Sequence, residues 1–420
     1  MSMAQRPLAD VLYQALGNAP IAVRAYDGSS AGPSGADVPA VILNRPKALS
    51  YLITAPSELG LARGYVSGEI DVEGGVYEVL SALWSAQMGS VSWRDRMHAI
   101  RSLDPEAVRW VAPPESELGT RRRLAGLRHS KARDAEAISH HYDVSNEFYE
   151  LVLGPSMAYT CAVFPDADAT LEEAQANKFD LVCRKLGLKP GMRLLDVGCG
   201  WGGMVRHAVT HYGVTALGVT LSRRQADWAA KAIAEDGLTG RAEVRFSDYR
   251  DVAETDFDAI SSIGLTEHIG MKALPAYFEF LFDKLRPGGR LLNHCITRPS
   301  TTEGVKSKGF IDRYVFPDGE LEAVGVIVSV MQDTGFEIRH EENLREHYAM
   351  TLRGWCDNLD AGWDAALGQV GEERARVWAL YMAGSRLGFE RRSIELHQVL
   401  GVKVGADGRS HVPLRPDWGV

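Results

Sequence analysis

The 420-residue chain contains no apolar run of about 18 residues, so it offers no candidate membrane-spanning helix. Its first residues, MSMAQRPLADVLYQALG, lack the basic region, apolar core and small-residue cleavage site of a secretory signal. Cysteine is sparse. Cys161, Cys183, Cys199, Cys295 and Cys356 are an odd set of five without a CxxC pair, which argues against a disulfide framework and a structural zinc site. A reducing cytoplasm is the expected compartment. Positive charge is in deficit: 46 Lys and Arg against 55 Asp and Glu give a net charge of −9, so bulk electrostatics give no reason to expect nucleic acid as a partner. No internal repeat or low-complexity tract is present.

What is present is a globular composition, 45% hydrophobic and 24% charged, in a chain long enough for two or three domains at roughly 150 residues each. Residues 1–115 are mixed. PIAVRAYDG, PAVILNRP and the stretch Gly64–Glu69 read as short strands and turns, and a helix is expected from Val76 to about Met88, giving a small α+β accessory domain. Residues 116–138 are a basic linker. From 139 to 420 the pattern becomes α/β, with RLLDVGCG, TALGVTLS, AEVRFSDY, FDAISSIG and RLLNHCIT as strands alternating with helices. Such alternation calls for a parallel, doubly wound sheet covered by helices on both faces. After Thr297 a polar loop and a mostly helical C-terminal third are expected.

The segment LLDVGCGWG at 194–202 is an apolar strand that runs into a glycine-dense turn and then a helix. Gly198 and Gly200 let the backbone approach a ligand, and the helix start presents N–H groups without intrahelical partners. In a doubly wound sheet such turns lie at the C-terminal strand ends, where ligands bind. A dinucleotide site would need an acid at the end of the next strand, which here reads Thr220-Leu221-Ser222. The D-x-G-x-G turn instead resembles the first motif of S-adenosylmethionine-dependent methyltransferases, and LRPGGRLLN resembles their loop before a late strand.

Further segments narrow the resemblance. HHYDVSNEFYELVLGPSMAYTCAVF (140–164), GVTLSRRQ (218–225), IGLTEHIG (263–270), NHCIT (293–297), RYVFPDGEL (313–321) and HYAMTLRGW (347–355) together resemble the cyclopropane fatty acid synthase family, which includes the mycolic acid cyclopropane synthases and methyltransferases. The resemblance spans about 140–400; the N-terminal residues correspond to the extra domain of longer members by position and length only. It implies a Rossmann-like class I methyltransferase sheet with helical insertions. It also implies an S-adenosylmethionine site formed by Tyr159, Thr160, Asp196, Gly198, Cys199, Gly200, Gly202, Thr220, Leu221, Gln225 and Tyr249. Gln225 stands in for the missing acid, and a neutral amide can bond ribose hydroxyls without adding charge.

The implied reaction is demanding because an alkene is a poor nucleophile. The site must hold the sulfonium methyl against the double bond, exclude water and tolerate a carbocation. Aromatic faces do this without trapping the cation; Tyr142, Phe148, Tyr159, Tyr314 and Tyr348 are candidates, each Tyr alone reading more readily as core except Tyr348, which sits in a matching motif. A base must then take a proton. In the family this is a bound bicarbonate, and the positions matching its holders are Cys161 and Ile296 through their backbones and Glu267, His294 and Tyr348 through their side chains. Read without the resemblance, Glu267-His268 and His294 are titratable groups at the ligand-binding ends of parallel strands; each His alone reads equally as a satisfied buried imidazole. Where family members commonly carry a late cysteine, this chain has Ser385, which excludes an obligatory thiol there.

The expected activity is transfer of a one-carbon unit from S-adenosylmethionine to the cis double bond of an unsaturated phospholipid acyl chain, giving a cyclopropane. The same cation can instead yield a methylene- or methyl-branched chain. A small-molecule N- or O-methyltransferase and a non-catalytic lipid-binding module are the readings from other classes. Arg121, Arg122, Arg123, Arg128, Lys131 and Arg133 concentrate six positive charges in an acidic chain. At roughly 1 kcal/mol per basic residue near anionic lipid, they would dock the protein peripherally on the inner membrane face, although a solvated linker explains them equally well. Lys306 and Lys308 lie in the loop expected to shape the acyl entrance. A homodimer is a further expectation of the resemblance.

Overall fold

The computed structural model describes residues 6–55, 58–86, 109–117, 144–302, 309–316 and 319–419. The chain divides into two compact units. One comprises Met1–Arg122, Ser307–Pro317 and Trp363–Leu387; the other comprises Arg123–Lys306, Asp318–Gly362 and Gly388–Val420. Two later segments therefore group with the N-terminal residues, which no single cut near 115 anticipates.

The first unit begins with α1 (Leu8–Ala15), β1 (Ala22–Ala25), β2 (Ser30–Ala31), β3 (Ala40–Leu43), α2 (Lys47–Thr54), α3 (Glu58–Val66), β4 (Ile70–Glu73) and α4 (Val76–Ser85). The strands form a sheet in the order β2-β1-β3-β4, with β1 parallel to β3 and the other pairs antiparallel. Leu12, Ile21, Val23, Val41, Leu49, Ile70 and Leu83 fill its core. The stretch beginning at Gly64, expected as strand and turn, instead starts inside α3. There a Cβ on Gly64 would lie 2.5 Å from Ile70 Cδ1, so close packing of the helix against β4 overrides the strand preference of Tyr65 and Val66.

Glu117 ties the segment 309–316 into this unit. Its buried carboxylate accepts hydrogen bonds from Arg63 Nε and Nη2, both 2.7 Å, from Arg313 at 2.7 Å and from the Tyr314 hydroxyl at 3.0 Å. Burial opposes its ionisation, yet the bonds from the two arginines hold the carboxyl below its ordinary range. The Tyr314 hydroxyl, a sequence candidate for cation stabilisation, is thus committed to Glu117.

The second unit comprises α5 (Asn146–Leu153), α6 (Leu171–Leu186), β5 (Arg193–Val197), α7 (Gly203–Tyr212), β6 (Thr215–Thr220), α8 (Arg223–Glu235), β7 (Ala242–Phe246), β8 (Phe257–Ile263), α9 (Leu274–Lys284), β9 (Leu285–Arg298), β10 (Glu322–Ala323), α10 (Val324–Thr334), β11 (Glu337–Asn343), α11 (Arg345–Ala361) and β12 (Glu395–Val402). Its sheet runs β7-β6-β5-β8-β9-β12-β11, with β10 paired to the end of β9. Strands β5 to β9 are mutually parallel, and β12 is antiparallel to both neighbours. The C-terminal third, expected to be mostly helical, also supplies the last two long strands. β12 is buried at every position, so no polar alternation marks it as a strand.

Helix α6 shows how local sequence and tertiary burial combine. Thr170 and Glu173 form a capping box at its start, and Gly187 ends it with φ 67°. Its sheet-facing side carries Gln175, Lys178, Val182 and Lys185, at helical spacing and all fully buried. Two lysines with no exposed surface need partners: Lys178 donates to Thr160 Oγ1, and Lys185 to Gln398 Oε1 and Glu342 Oε2.

Candidate active site

The order of the sheet reverses at β5, whose successor β6 lies on one side and β8 on the other. Ligands of doubly wound sheets bind in the crevice at such a point. Gly198 at φ 74°, Gly200 at φ 54° and Gly202 at φ 77° carry the chain from β5 into α7 in conformations that disfavour a side chain. The Gly198 and Cys199 N–H groups both donate to Val219 O at 3.0 Å, and Cys199 Sγ lies where a Cβ on Gly218 would stand 2.8 Å away. The turn is therefore locked to β6. Asp196 is buried, accepts from Ser261 Oγ at 2.6 Å, and is pushed up to about 7 by burial.

At the end of β6, Thr220 Oγ1 donates to Gln225 Oε1 at 2.7 Å, and Ser222 caps α8. That bond engages the Gln225 carbonyl and leaves its NH2 as the donor end of the amide. Leu221, between them, is half-buried. Tyr249 follows β7 and packs edge-on against Tyr277, with ring centroids 5.2 Å apart.

The segment after residue 144 straps across this crevice. Trp201 Nε1 donates to Asn146 Oδ1 at 3.0 Å, and Arg224 donates to Val144 O at 3.2 Å. Thr160 accepts a 2.8 Å bond from Lys178 Nζ, while its carbonyl accepts from Gln175 at 2.9 Å. Burial pushes the Lys178 amine down to about 7. Aromatic rings run from Phe148 through Tyr149 to Trp201 and Tyr159, then through Trp355 to Tyr348 and Phe389, each neighbouring pair with centroids 4.5–6.1 Å apart. Trp355, Tyr149 and Trp201 were not anticipated from the sequence; only their place within the matched segments signalled them.

A buried polar cluster stands at the ends of β8 and β9. Glu267 lies in a 3-10 turn, Thr266–His268, and its Oε1 accepts from Ile296 N–H at 2.7 Å. Thr266 donates to Asn293 at 2.6 Å, and Gly264 N–H donates to His294 O at 2.8 Å, which fixes the turn to β9. Glu267 Oε2 is buried without a hydrogen-bond partner among the described residues, as is His294 Nε2. Burial pushes the Glu267 carboxyl up to about 7 and holds His294 well below its ordinary value, hence neutral. Cys161 is fully buried; its thiol, raised far above the usual range by burial, donates toward Ala162 O at 3.1 Å. The next residue anchors it to α11, through Ala162 N–H on Thr351 Oγ1 at 3.0 Å, and α11 carries Tyr348.

Arg121, Arg122, Arg123, Arg128, Lys131, Arg133, Tyr142, Lys306 and Lys308 lie outside the described residues. Among the described residues, no helix is long and apolar enough to cross a membrane, and no His, Cys, Asp and Glu group is arranged to hold a metal ion.

Residues 129–399 match the family described as mycolic acid cyclopropane synthetase. The chain belongs to this family. It is accordingly an S-adenosylmethionine-dependent methyltransferase-family enzyme, with the class I methyltransferase sheet that its sequence predicts. It is 54% identical, over the whole of both chains, to a protein of Mycobacterium tuberculosis named a probable fatty acid methyltransferase. To the cyclopropane-fatty-acyl-phospholipid synthase of Escherichia coli (strain K12) it is 36% identical, covering 66% of this chain and 72% of that one. The crystal structure of a mycolic acid cyclopropane synthase complexed with SAH and CTAB superposes with a TM-score of 0.61 at 33% identity, covering 64% of this chain and 98% of that one. The glycine turn, the segment after residue 144 and the cluster of Glu267 and His294 all lie within the matched residues 129–399.

Proposed function

We propose that this cyclopropane synthetase family member transfers the methyl group of S-adenosylmethionine to the cis double bond of a phospholipid acyl chain and closes a cyclopropane. Residues 139–420, apart from the two segments that group with the first unit, would form its catalytic domain and 1–115 an accessory one. The observation that carries this reading is the pair of polar atoms Glu267 Oε2 and His294 Nε2 at the ends of β8 and β9, both buried and without a partner among the described residues. A small-molecule methyltransferase has no need for such a pair.

The glycine turn, Thr220, Gln225, Tyr159 and Thr160 would hold S-adenosylmethionine, and Tyr249 would pack near its adenine. With Oε1 committed to Ile296, the proton of a neutral Glu267 sits on Oε2 and makes it a donor. His294 Nε2–H would be a second donor; the resemblance would add the Tyr348 hydroxyl and the backbones of Cys161 and Ile296, the Ile296 N–H being given to Glu267. These groups suit bicarbonate, which when bound would supply the base that removes the proton from the cation. The rings of Tyr159, Trp355 and Tyr348 stabilise that cation and exclude water. The basic segment Arg121–Arg133 would dock the enzyme on anionic lipid.

Incubation with methyl-labelled S-adenosylmethionine and oleoyl phospholipid tests the activity. NMR of the extracted lipid should show cyclopropane ring protons; an unlabelled lipid would reject the reading. Because the relative at 54% identity is named as a methyltransferase, a branched product is the second reading, and a vinylic or branched-methyl signal would establish it instead.

A smaller change tests the cofactor turn. A Cβ on Gly198 would lie 3.2 Å from Leu265 Cβ at φ 74°, and about 1–2 kcal/mol of strain is expected from a side chain there. Gly198→Ala should weaken S-adenosylmethionine binding about tenfold by calorimetry, since about 1.4 kcal/mol corresponds to that factor. Unchanged affinity would remove Gly198 from the site.

A further inference from the structure

His294 cannot choose its own tautomer. On β12, Gln398 lies directly across from His294 of β9, and its amide nitrogen faces His294 Nδ1 at 3.1 Å. The other end of the same amide, Oε1, lies 2.7 Å from Lys185 Nζ. Lys185 is fully buried on α6, and its second contact is Glu342 Oε2 at 2.5 Å. An ammonium between two acceptors can only donate, so the amide must turn its oxygen toward Lys185 and its NH2 toward the ring. An NH2 group only donates, so Nδ1 must accept. A neutral imidazole then carries its one proton on Nε2, the atom that lacks a partner among the described residues.

We infer that Gln398, oriented by Lys185 and Glu342, is a positioning residue that fixes His294 as the Nε2–H tautomer and so makes it a donor to the anion beside Glu267. This rests on the bicarbonate reading above and adds the means by which the protein presents a hydrogen-bond donor there without a positive charge. A histidinium would bind an anion more strongly but would weaken it as a base; a bare Nε2 would repel it. Only the neutral Nε2–H form both holds and spares the basicity. None of Lys185, Glu342 and Gln398 needs to touch substrate.

Long-range 15N–1H correlation spectra of histidine-labelled enzyme test this, with the His294 signals assigned by their loss in His294→Asn. The wild type should show a protonated Nε2 and a bare Nδ1. In Gln398→Glu the new carboxylate accepts from both sides, so Nδ1 should become protonated and kcat should fall about tenfold or more, with KM for S-adenosylmethionine within about twofold of the wild type. Gln398→Met, similar in size but unable to bond Nδ1, should give mixed tautomers and an intermediate kcat. A wild-type Nδ1–H form overturns the inference, as does a Gln398→Glu enzyme with protonated Nδ1 and wild-type kcat. The underlying reading fails separately: an Nε2–H tautomer in an enzyme whose rate ignores bicarbonate rejects the anion site while leaving the Lys185–Gln398–His294 arrangement in place.

Discussion

Glu267→Gln should lower kcat about 100-fold while leaving S-adenosylmethionine affinity nearly unchanged. Gln at this position keeps an oxygen for Ile296 N–H and places an NH2 where Oε2 stood, so the fold and one donor survive. What is lost is the ability to give and take a proton. Tyr348→Phe should lose activity to a similar degree, whereas Cys161→Ser should keep much of it, because the Cys161 thiol points to Ala162 O and its proposed role uses the backbone. Equal activity in all three variants would reject the assignment.

The same residue predicts a pH dependence with a definite sign. Burial raises the Glu267 carboxyl from 4.5 to about 7. Between those values the folded protein binds more protons than the unfolded chain, so this group's contribution to stability falls as pH rises through that window. Glu267→Gln removes that loss. Thermal melts should therefore show the variant gaining on the wild type between pH 5 and pH 8. The alkaline limb of the wild-type rate should also move to higher pH as bicarbonate is added, since a nearby anion raises a carboxyl further.

Trp355→Ala should cost about 3–5 kcal/mol of stability, read as a lowered denaturation midpoint. Its indole is fully buried, 5.4 Å from the Tyr159 ring and 6.0 Å from that of Tyr348, so truncation empties the centre of the aromatic row. Packing and catalysis separate in a second comparison. Trp355→Phe keeps a π face and Trp355→Leu does not, while both fill much of the space. If the ring stabilises the cation, the Leu enzyme should turn over about tenfold more slowly than the Phe enzyme, the effect of roughly 1–2 kcal/mol from a desolvated cation–π contact. Equal rates would make Trp355 a packing residue alone.

The sequence made the parallel core of the sheet legible because its signals are local. Thr170 and Glu173 start α6, Gly187 stops it, and the turn from Asp196 to Gly202 announces the ligand edge. Glu267 and His294 were visible as titratable residues at strand ends. Their connections were not, since Glu267 bonds a backbone group 29 residues away and Gln398 meets His294 across 104 residues and Lys185 across 213. The two Gln398 pairs exist only once β12 is inserted antiparallel between β9 and β11, and β12 is too uniformly buried to reveal its period. Lys178 and Lys185 look like solvated helix positions by type, and only the face shared with Gln175 and Val182 turns them inward.

The proposed reaction requires an anion held between Glu267, His294 and Tyr348. Its most direct test is the initial rate of methyl transfer to oleoyl phospholipid in carbon-dioxide-free buffer, with bicarbonate then restored at constant pH and ionic strength. The rate should fall about tenfold or more and recover with saturating bicarbonate in the wild type, but recover little in Glu267→Gln. A wild-type rate indifferent to bicarbonate would contradict the account.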